Sequence, residues 1–142
     1  MKPQNIYDLI SALESDNNQY AMRVEPAYSP SSSNIFNYAI RHSVSQHTAA
    51  ICLSSSWGLF QIMGENLYNE GLQISLPHYC CLPDLQKQYF QIYLKKNNLF
   101  ELTQNFSEFI SNTQSVEIFA KAYNGPGNVA VYAAKMKSIA QV

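Results

Sequence analysis

Apolar positions recur along this chain with the period of a helix more often than with that of a strand. Ile6, Leu9, Ile10 and Leu13 fall at i, i+3, i+4 and i+7, so residues 6 to 13 are predicted to form an amphipathic helix. Asn5 is placed to cap it, Asp8 lies near the positive end of its dipole, and Asp16-Asn17-Asn18 ends it with turn formers. Tyr20 to Glu25 reads as extended, closed by Pro26 and Pro30, and Ser29 to Ser33 as a polar loop. A second helix, capped by Asn34, takes Ile35, Phe36, Ala39, Ile40 and Val44 as its apolar face.

A loop of Ser54-Ser55-Ser56 leads into Trp57-Gly58. Leu59, Ile62, Met63 and Leu67 then restore the helical period until Gly71. Pro83 suits the first turn of a helix whose face is Leu85, Tyr89, Ile92 and Tyr93. Phe106, Phe109 and Ile110 predict a short helix. Val116, Phe119, Ala120 and Tyr123 predict another, broken by Gly125-Pro126-Gly127, and Val129, Tyr132, Ala133 and Met136 predict the last. There is no internal repeat and no clear linker. Residues 1–142 therefore read as a single, mainly α domain of six or seven short helices with at most a small β element.

Composition narrows the chemistry. A chain of 142 residues buries roughly two-thirds of its unfolded surface, so its core needs no metal or disulfide. Charged residues are 13%, about half the usual share, and 16 Ser, 13 Asn and 11 Gln carry the polar load. Ten Tyr with so few charges suit a cleft for a neutral, hydroxyl-rich ligand, and equally an ordinary half-polar core. The net charge of −1 without a basic stripe excludes a phosphate-driven nucleic-acid function. No apolar run approaches the ~18 residues of a membrane span, and the first residues lack the apolar stretch of a signal peptide. Cytoplasmic synthesis is expected. Cys52, Cys80 and Cys81 form neither a disulfide framework nor a zinc spacing. His42 and His47 lie off one helical face and His78 is distant, so no metal and no cofactor are expected.

Most catalytic motifs are absent. The serine loop lacks the strand–Gly-x-Ser-x-Gly–helix setting, and Gly125-Pro126-Gly127 is no phosphate loop because Pro126 lacks an amide donor. The informative carboxylate is Glu14, at the last turn of the first predicted helix, beside the apolar stripe. A helix C-terminus opposes a negative charge, and partial burial opposes it further. Both favour the protonated form, which suits a general acid. A solvent-facing Glu at a helix end is the commoner case.

Three blocks shift that balance. Glu14-Ser15, then Gly58-Leu59-Phe60-Gln61-Ile62-Met63, then Ala122-Tyr123-Asn124-Gly125-Pro126-Gly127-Asn128-Val129 occur in that order. The set resembles the goose-type lysozyme and soluble lytic transglycosylase (SLT) superfamily over about residues 6 to 136, with Phe60 where that family usually has Met. Tyr20-Ala21-Met22-Arg23-Val24-Glu25-Pro26 is similar to a run in phage endolysins. The resemblance implies a lysozyme-like α+β fold around a substrate cleft. It also implies cleavage of the β-1,4 bond between N-acetylmuramic acid and N-acetylglucosamine in peptidoglycan.

By that resemblance Glu14 protonates the bridging oxygen. It then takes the proton of the muramyl 6-hydroxyl, which closes a 1,6-anhydro ring with the benefit of proximity. Gln61, at the start of its helix, is expected to meet sugar. Tyr123 and Asn124 are expected opposite it, Tyr123 holding Glu14 or substrate. Ser56 and Met63 are further candidates to line the sugar site, Met63 equally a core residue. Gly58 and Gly125 allow close backbone approach. Glu25 stands either as a second carboxylate for hydrolysis, which needs a separation of about 5 Å or about 6.5 to 9.5 Å, or as a scaffold partner of Arg23 or Arg41. The expected partner is the peptidoglycan glycan strand and the expected state a monomer, released to the wall by a phage pore or lysis. A non-catalytic peptidoglycan-binding module is the rival reading, which the acid Glu14 argues against.

Overall fold

In the computed structural model, which describes residues 1–141, the side chain of Asn5 accepts the amide of Asp8 and starts α1 (Ile6–Ser15). The chain continues through β1 (Met22–Val24), α2 (Ser32–His42), α3 (Gln46–Leu53), β2 (Ser55–Trp57), β3 (Ile62–Met63), α4 (Gly64–Asn69) and α5 (Leu76–Tyr79). It ends with α6 (Pro83–Lys96), α7 (Phe100–Gln104), α8 (Phe106–Ser111), α9 (Thr113–Asn124), a 3-10 turn (Pro126–Asn128) and α10 (Val129–Ala140).

The abundance of Ser and Asn has a local cause. Asn5, Ser31, Ser45, Ser75, Asn105 and Asn112 each stand just before a helix and accept the amide three residues on. Each such cap satisfies an orphan amide and is worth about 1 kcal/mol. Short helices gain most from it, because their nucleation cost is spread over few residues.

The chain divides into two compact units, residues 1–17 with those from 90 onward, and residues 18–89. In the first unit, α1 packs on α10 and α10 on α9. Ile6, Leu9 and Ile10 of α1 are buried, as are Phe119 of α9 and Tyr132, Ala133 and Met136 of α10. The apolar spacing of α1 thus presents one stripe to a core, as its sequence predicts.

The second unit holds α2 to α5 and the three-stranded antiparallel sheet, in the order β1-β2-β3. Met22 pairs with Trp57 and Val24 with Ser55; Ser56 pairs with Met63 and Trp57 with Ile62. Trp57 is buried and its indole N–H donates to the Cys52 carbonyl (2.8 Å), which ties the sheet to α3. The turn joining β2 to β3 places Gly58 and Gln61 at φ 76° and 49°. Beneath it lies Gln86 of α6, fully buried. Its amide nitrogen donates to the carbonyls of Gln19, Tyr79 and Cys80, and its oxygen accepts the Leu59 amide at 2.7 Å.

The fold is mainly helical with one small sheet, as expected, but its details differ in four places. The helix predicted from Leu59 begins only at Gly64, because the left-handed turn at Gly58 and Gln61 diverts the chain into β3. Ser55 and Ser56, read as loop, are buried strand residues. Ser31, not Asn34, caps α2, and that helix stops at His42 because Ser43 adopts φ 54°. Helices α3, α5 and α7 were not predicted; α5 and α7 span four and five residues, too short to show a period.

A Cβ on Gly58 would lie 2.4 Å from the Gln86 amide oxygen, on a backbone already left-handed, whereas one on Gly71 (φ 95°) meets nothing within 4 Å. Gly71→Ala is expected to cost about 1 kcal/mol for its backbone alone. Gly58→Ala is expected to cost about 2–4 kcal/mol, because it also displaces the Gln86 clasp. Urea unfolding of both variants checks this; equal losses would show that Gln86 does not hold the turn.

Candidate active site

Glu14 lies in the last turn of α1, half-buried. The Tyr132 hydroxyl, in the first turn of α10, donates to its Oε1. Burial pushes the Tyr132 phenol far above its ordinary range, and the Glu14 charge and hydrogen bond push it further. Tyr93 of α6 feels the same carboxylate: burial raises its phenol first and the Glu14 charge adds to it. Its hydroxyl donates to the Ala122 carbonyl (3.3 Å).

Tyr123 sits among these rings. It stacks on Phe119 (5.4 Å between centroids, 18° between planes), meets Phe90 and Tyr93 edge-on at 6.0 and 5.2 Å, and lies 6.5 Å from Tyr132. Such contacts fix ring orientation beyond the area they bury. Asn124 ends α9 exposed, and Gly125 follows at φ 83°. The first unit therefore brings Glu14, Tyr93, Tyr123 and Tyr132 together, an acid set in an aromatic wall.

The second unit holds the other candidates. Ser56, 2% exposed, donates its hydroxyl to the Gln61 side-chain oxygen (2.9 Å). The Gln61 amide nitrogen donates to the carbonyls of Gly58 (2.9 Å) and Ala21 (3.2 Å). Both amide protons and one oxygen lone pair are thus used within the turn and the residue before β1. Met63, half-buried, stands opposite Ser56 on β3. Glu25 follows β1, and its Oε1 accepts the Arg23 guanidinium at 2.7 Å, the side chains being 33% and 65% exposed. Arg41 is engaged elsewhere, donating to the Leu72 carbonyl over the Tyr68 ring.

Two side chains that hold neighbouring candidates were not legible in the sequence. Tyr132 read as a core residue, and a buried tyrosine hydroxyl needs a partner, but the periodicity does not say which. Glu65, in the first turn of α4, is a buried carboxylate that fixes the chain after Glu25. It accepts the Tyr28 hydroxyl (2.9 Å), the Ser31 amide (2.8 Å) and the Asn34 side chain (3.0 Å). Burial and that bond lift the Tyr28 phenol to about 12. The signal for Glu65 was a carboxylate two residues beyond the Gly58–Met63 block. Among the described residues no group of three or more His, Cys, Asp or Glu is arranged to hold a metal ion, and no helix is long and apolar enough to cross a membrane.

The profile of the N-acetylmuramidase family matches residues 11–142. The chain belongs to that family and is an enzyme acting on peptidoglycan. It is 35% identical over 130 residues to a protein named endolysin from Enterobacteria phage PRD1, a similarity covering 84% of this chain and 85% of that protein. No solved structure matches the chain.

Glu65 also generates a test of the second unit. Burial opposes its charge, but the bonds from Ser31, Asn34 and Tyr28 outweigh burial and hold its pKa below the ordinary carboxylate value. A depressed folded pKa contributes stability above the unfolded pKa and loses it as the pH falls through the folded one. Wild-type stability is expected to fall with acidification below the ordinary carboxylate range, and Glu65→Gln to start lower and fall less. Parallel urea midpoints for the two proteins across that range would show that Glu65 makes no such contribution.

Proposed function

We propose that the protein is a lytic transglycosylase of the endolysin type. It cleaves the β-1,4 bond between N-acetylmuramic acid and N-acetylglucosamine and leaves 1,6-anhydromuramyl ends. The observation that carries the reading is the half-buried Glu14 carboxyl at the end of α1 under the Tyr132 hydroxyl. Glu14 gives its proton to the bridging oxygen as the bond from the muramyl anomeric carbon breaks. The resulting carboxylate takes the proton of the 6-hydroxyl, whose oxygen bonds to that carbon. No water enters, and the proton lost in the first half is regained in the second.

Glu25 supports this reading by its engagement: its carboxylate is ion-paired with Arg23. Tyr123, Asn124 and Met63 are proposed to meet sugar through exposed or half-buried atoms, Ser56 and Gln61 mainly to hold the turn that presents the Leu59–Gln61 backbone. Residues 1–142 act in this reading as one catalytic domain, which the reach of the family profile across both units supports. The relative's name supports synthesis in a phage-infected cell and action on the wall after release by a pore or lysis. A second reading is hydrolysis with Glu25 as base. It is favoured by the family's name and by the exposure of the Arg23–Glu25 pair, since exposed ion pairs are weak.

Glu14→Gln keeps the shape and removes the proton. Its wall-clearing rate is expected to fall about a hundredfold or more, the scale of general-acid catalysis, with an unchanged melting temperature. Retention of a tenth of wild-type activity would place the acid elsewhere. Glu25→Gln is expected to keep at least about a tenth of the rate, since it loses one charge interaction of roughly one pKa unit. A loss of about a hundredfold would favour hydrolysis.

A further inference from the structure

We propose that Arg23 is a specificity residue: its guanidinium binds a carboxylate of the peptide stem carried by the muramyl unit, so that stem-bearing glycan strands are preferred to bare ones. The proposal rests on the reading that Met63 meets sugar, and it extends that reading from the glycan to the peptide that hangs from it.

The sheet of the second unit has two unlike faces. Residues paired across an antiparallel ladder point to the same side, and successive residues to opposite sides. Met22, Trp57 and Ile62 form one row, which Trp57 ties to α3 through the Cys52 carbonyl. Arg23, Ser56 and Met63 form the next row, on the face turned away from α3. Ser56 is buried and bonded to the Gln61 side chain. The open members of that row are therefore Met63, half-buried, and Arg23, whose side chain is 65% exposed. Strand β1 is an edge of the sheet, so no strand covers Arg23 from its far side.

The guanidinium is held but not used up. Its Nε donates to Glu25 Oε1 at 2.7 Å, and it has no other partner among the described residues. The two terminal amino groups, with four N–H donors, remain as the outer edge of the fork, which can take a carboxylate by two parallel bonds. Glu25 fixes the fork before a ligand arrives, which lowers the ordering cost. It also offsets the charge, so the expected gain is that of one exposed ion pair, about fivefold in affinity.

The substrate supplies the matching anion. A muramyl unit bears a lactyl group on its 3-oxygen, and the lactyl group bears a peptide with free carboxylates. Met63 and Arg23 lie two strands apart, about 10 Å by strand spacing. A lactyl group with two extended stem residues spans roughly that distance. The lactyl carboxylate of a bare strand lies within about one residue's length of the ring and falls short of Arg23.

The test measures kcat/KM for wild type and Arg23→Gln on stem-bearing glycan strands and on the same strands stripped by an amidase. Wild type is expected to favour the stem-bearing strands about fivefold, and Arg23→Gln to bring that ratio to about one. The wild-type difference is expected in KM, since the stem is bound alike before and during bond cleavage. If Arg23 only supports Glu25 or the sheet, the variant slows on both substrates alike and the ratio persists. A persistent ratio, or a wild type without preference, overturns the proposal. Strands whose stem carboxylates are amidated give the same readout with wild type, which covers an Arg23→Gln that does not fold. Their ratio to stripped strands is expected near about one, and a ratio still near about five overturns the proposal. Met63→Ala, run alongside, is expected to raise KM on both preparations. An unmoved KM there overturns the reading that this face meets sugar, whereas a raised KM with an unmoved Arg23→Gln ratio overturns the stem site alone.

Discussion

The hydrogen bond from Tyr132 to Glu14 joins residues 118 positions apart, the first helix of the chain to the last. Much of the first unit depends on that junction. Glu14 is a carboxylate at a helix C-terminus and half-buried, two conditions that each oppose its charge. A compensating bond comes from α10. Tyr132 lies in that helix's first turn, so the carboxyl receives a hydroxyl proton near the positive end of a second dipole. The arrangement exists only when α1 lies against α10 with Ile6, Leu9 and Ile10 buried. Apolar packing that folds the unit therefore also builds the acid's surroundings.

The second unit is held by neutral amides and hydroxyls. Gln86 gathers four backbone groups, and Gln61 and Ser56 close the β2–β3 turn between them. A buried amide satisfies donors and acceptors together and avoids the desolvation of a charge. This explains why a chain with so few charges is rich in Gln, Asn and Ser. Glu65 is the exception, a buried carboxylate tolerated because three groups donate to it.

Local patterns were legible where one helix face decides. The first helix, its Asn5 cap and the place of Glu14 followed from spacing, as did Pro83 opening α6 and the break at Gly125 between α9 and α10. The β2–β3 turn was not legible, because Leu59, Ile62, Met63 and Leu67 keep a helical spacing while Gln61 takes a positive φ that a period does not register. Helix α3 was hidden by apolar residues on both faces, Ile51 exposed and Ala49, Cys52 and Leu53 buried. Of the candidate site, Glu14 was legible from its position. Tyr132 was not, since its partner is set by helix packing; nor was Glu65, whose partners lie more than 30 residues away.

The central claim is that Glu14, held by Tyr132, carries both proton transfers and that no water takes part in bond cleavage. Digestion of peptidoglycan in water enriched with oxygen-18, followed by mass analysis of the muropeptides, tests it directly. The expected products carry 1,6-anhydromuramyl ends, one water lighter than hydrolysed ends and free of the heavy oxygen. Reducing muramyl ends labelled with oxygen-18 would contradict the claim and make the enzyme a hydrolase.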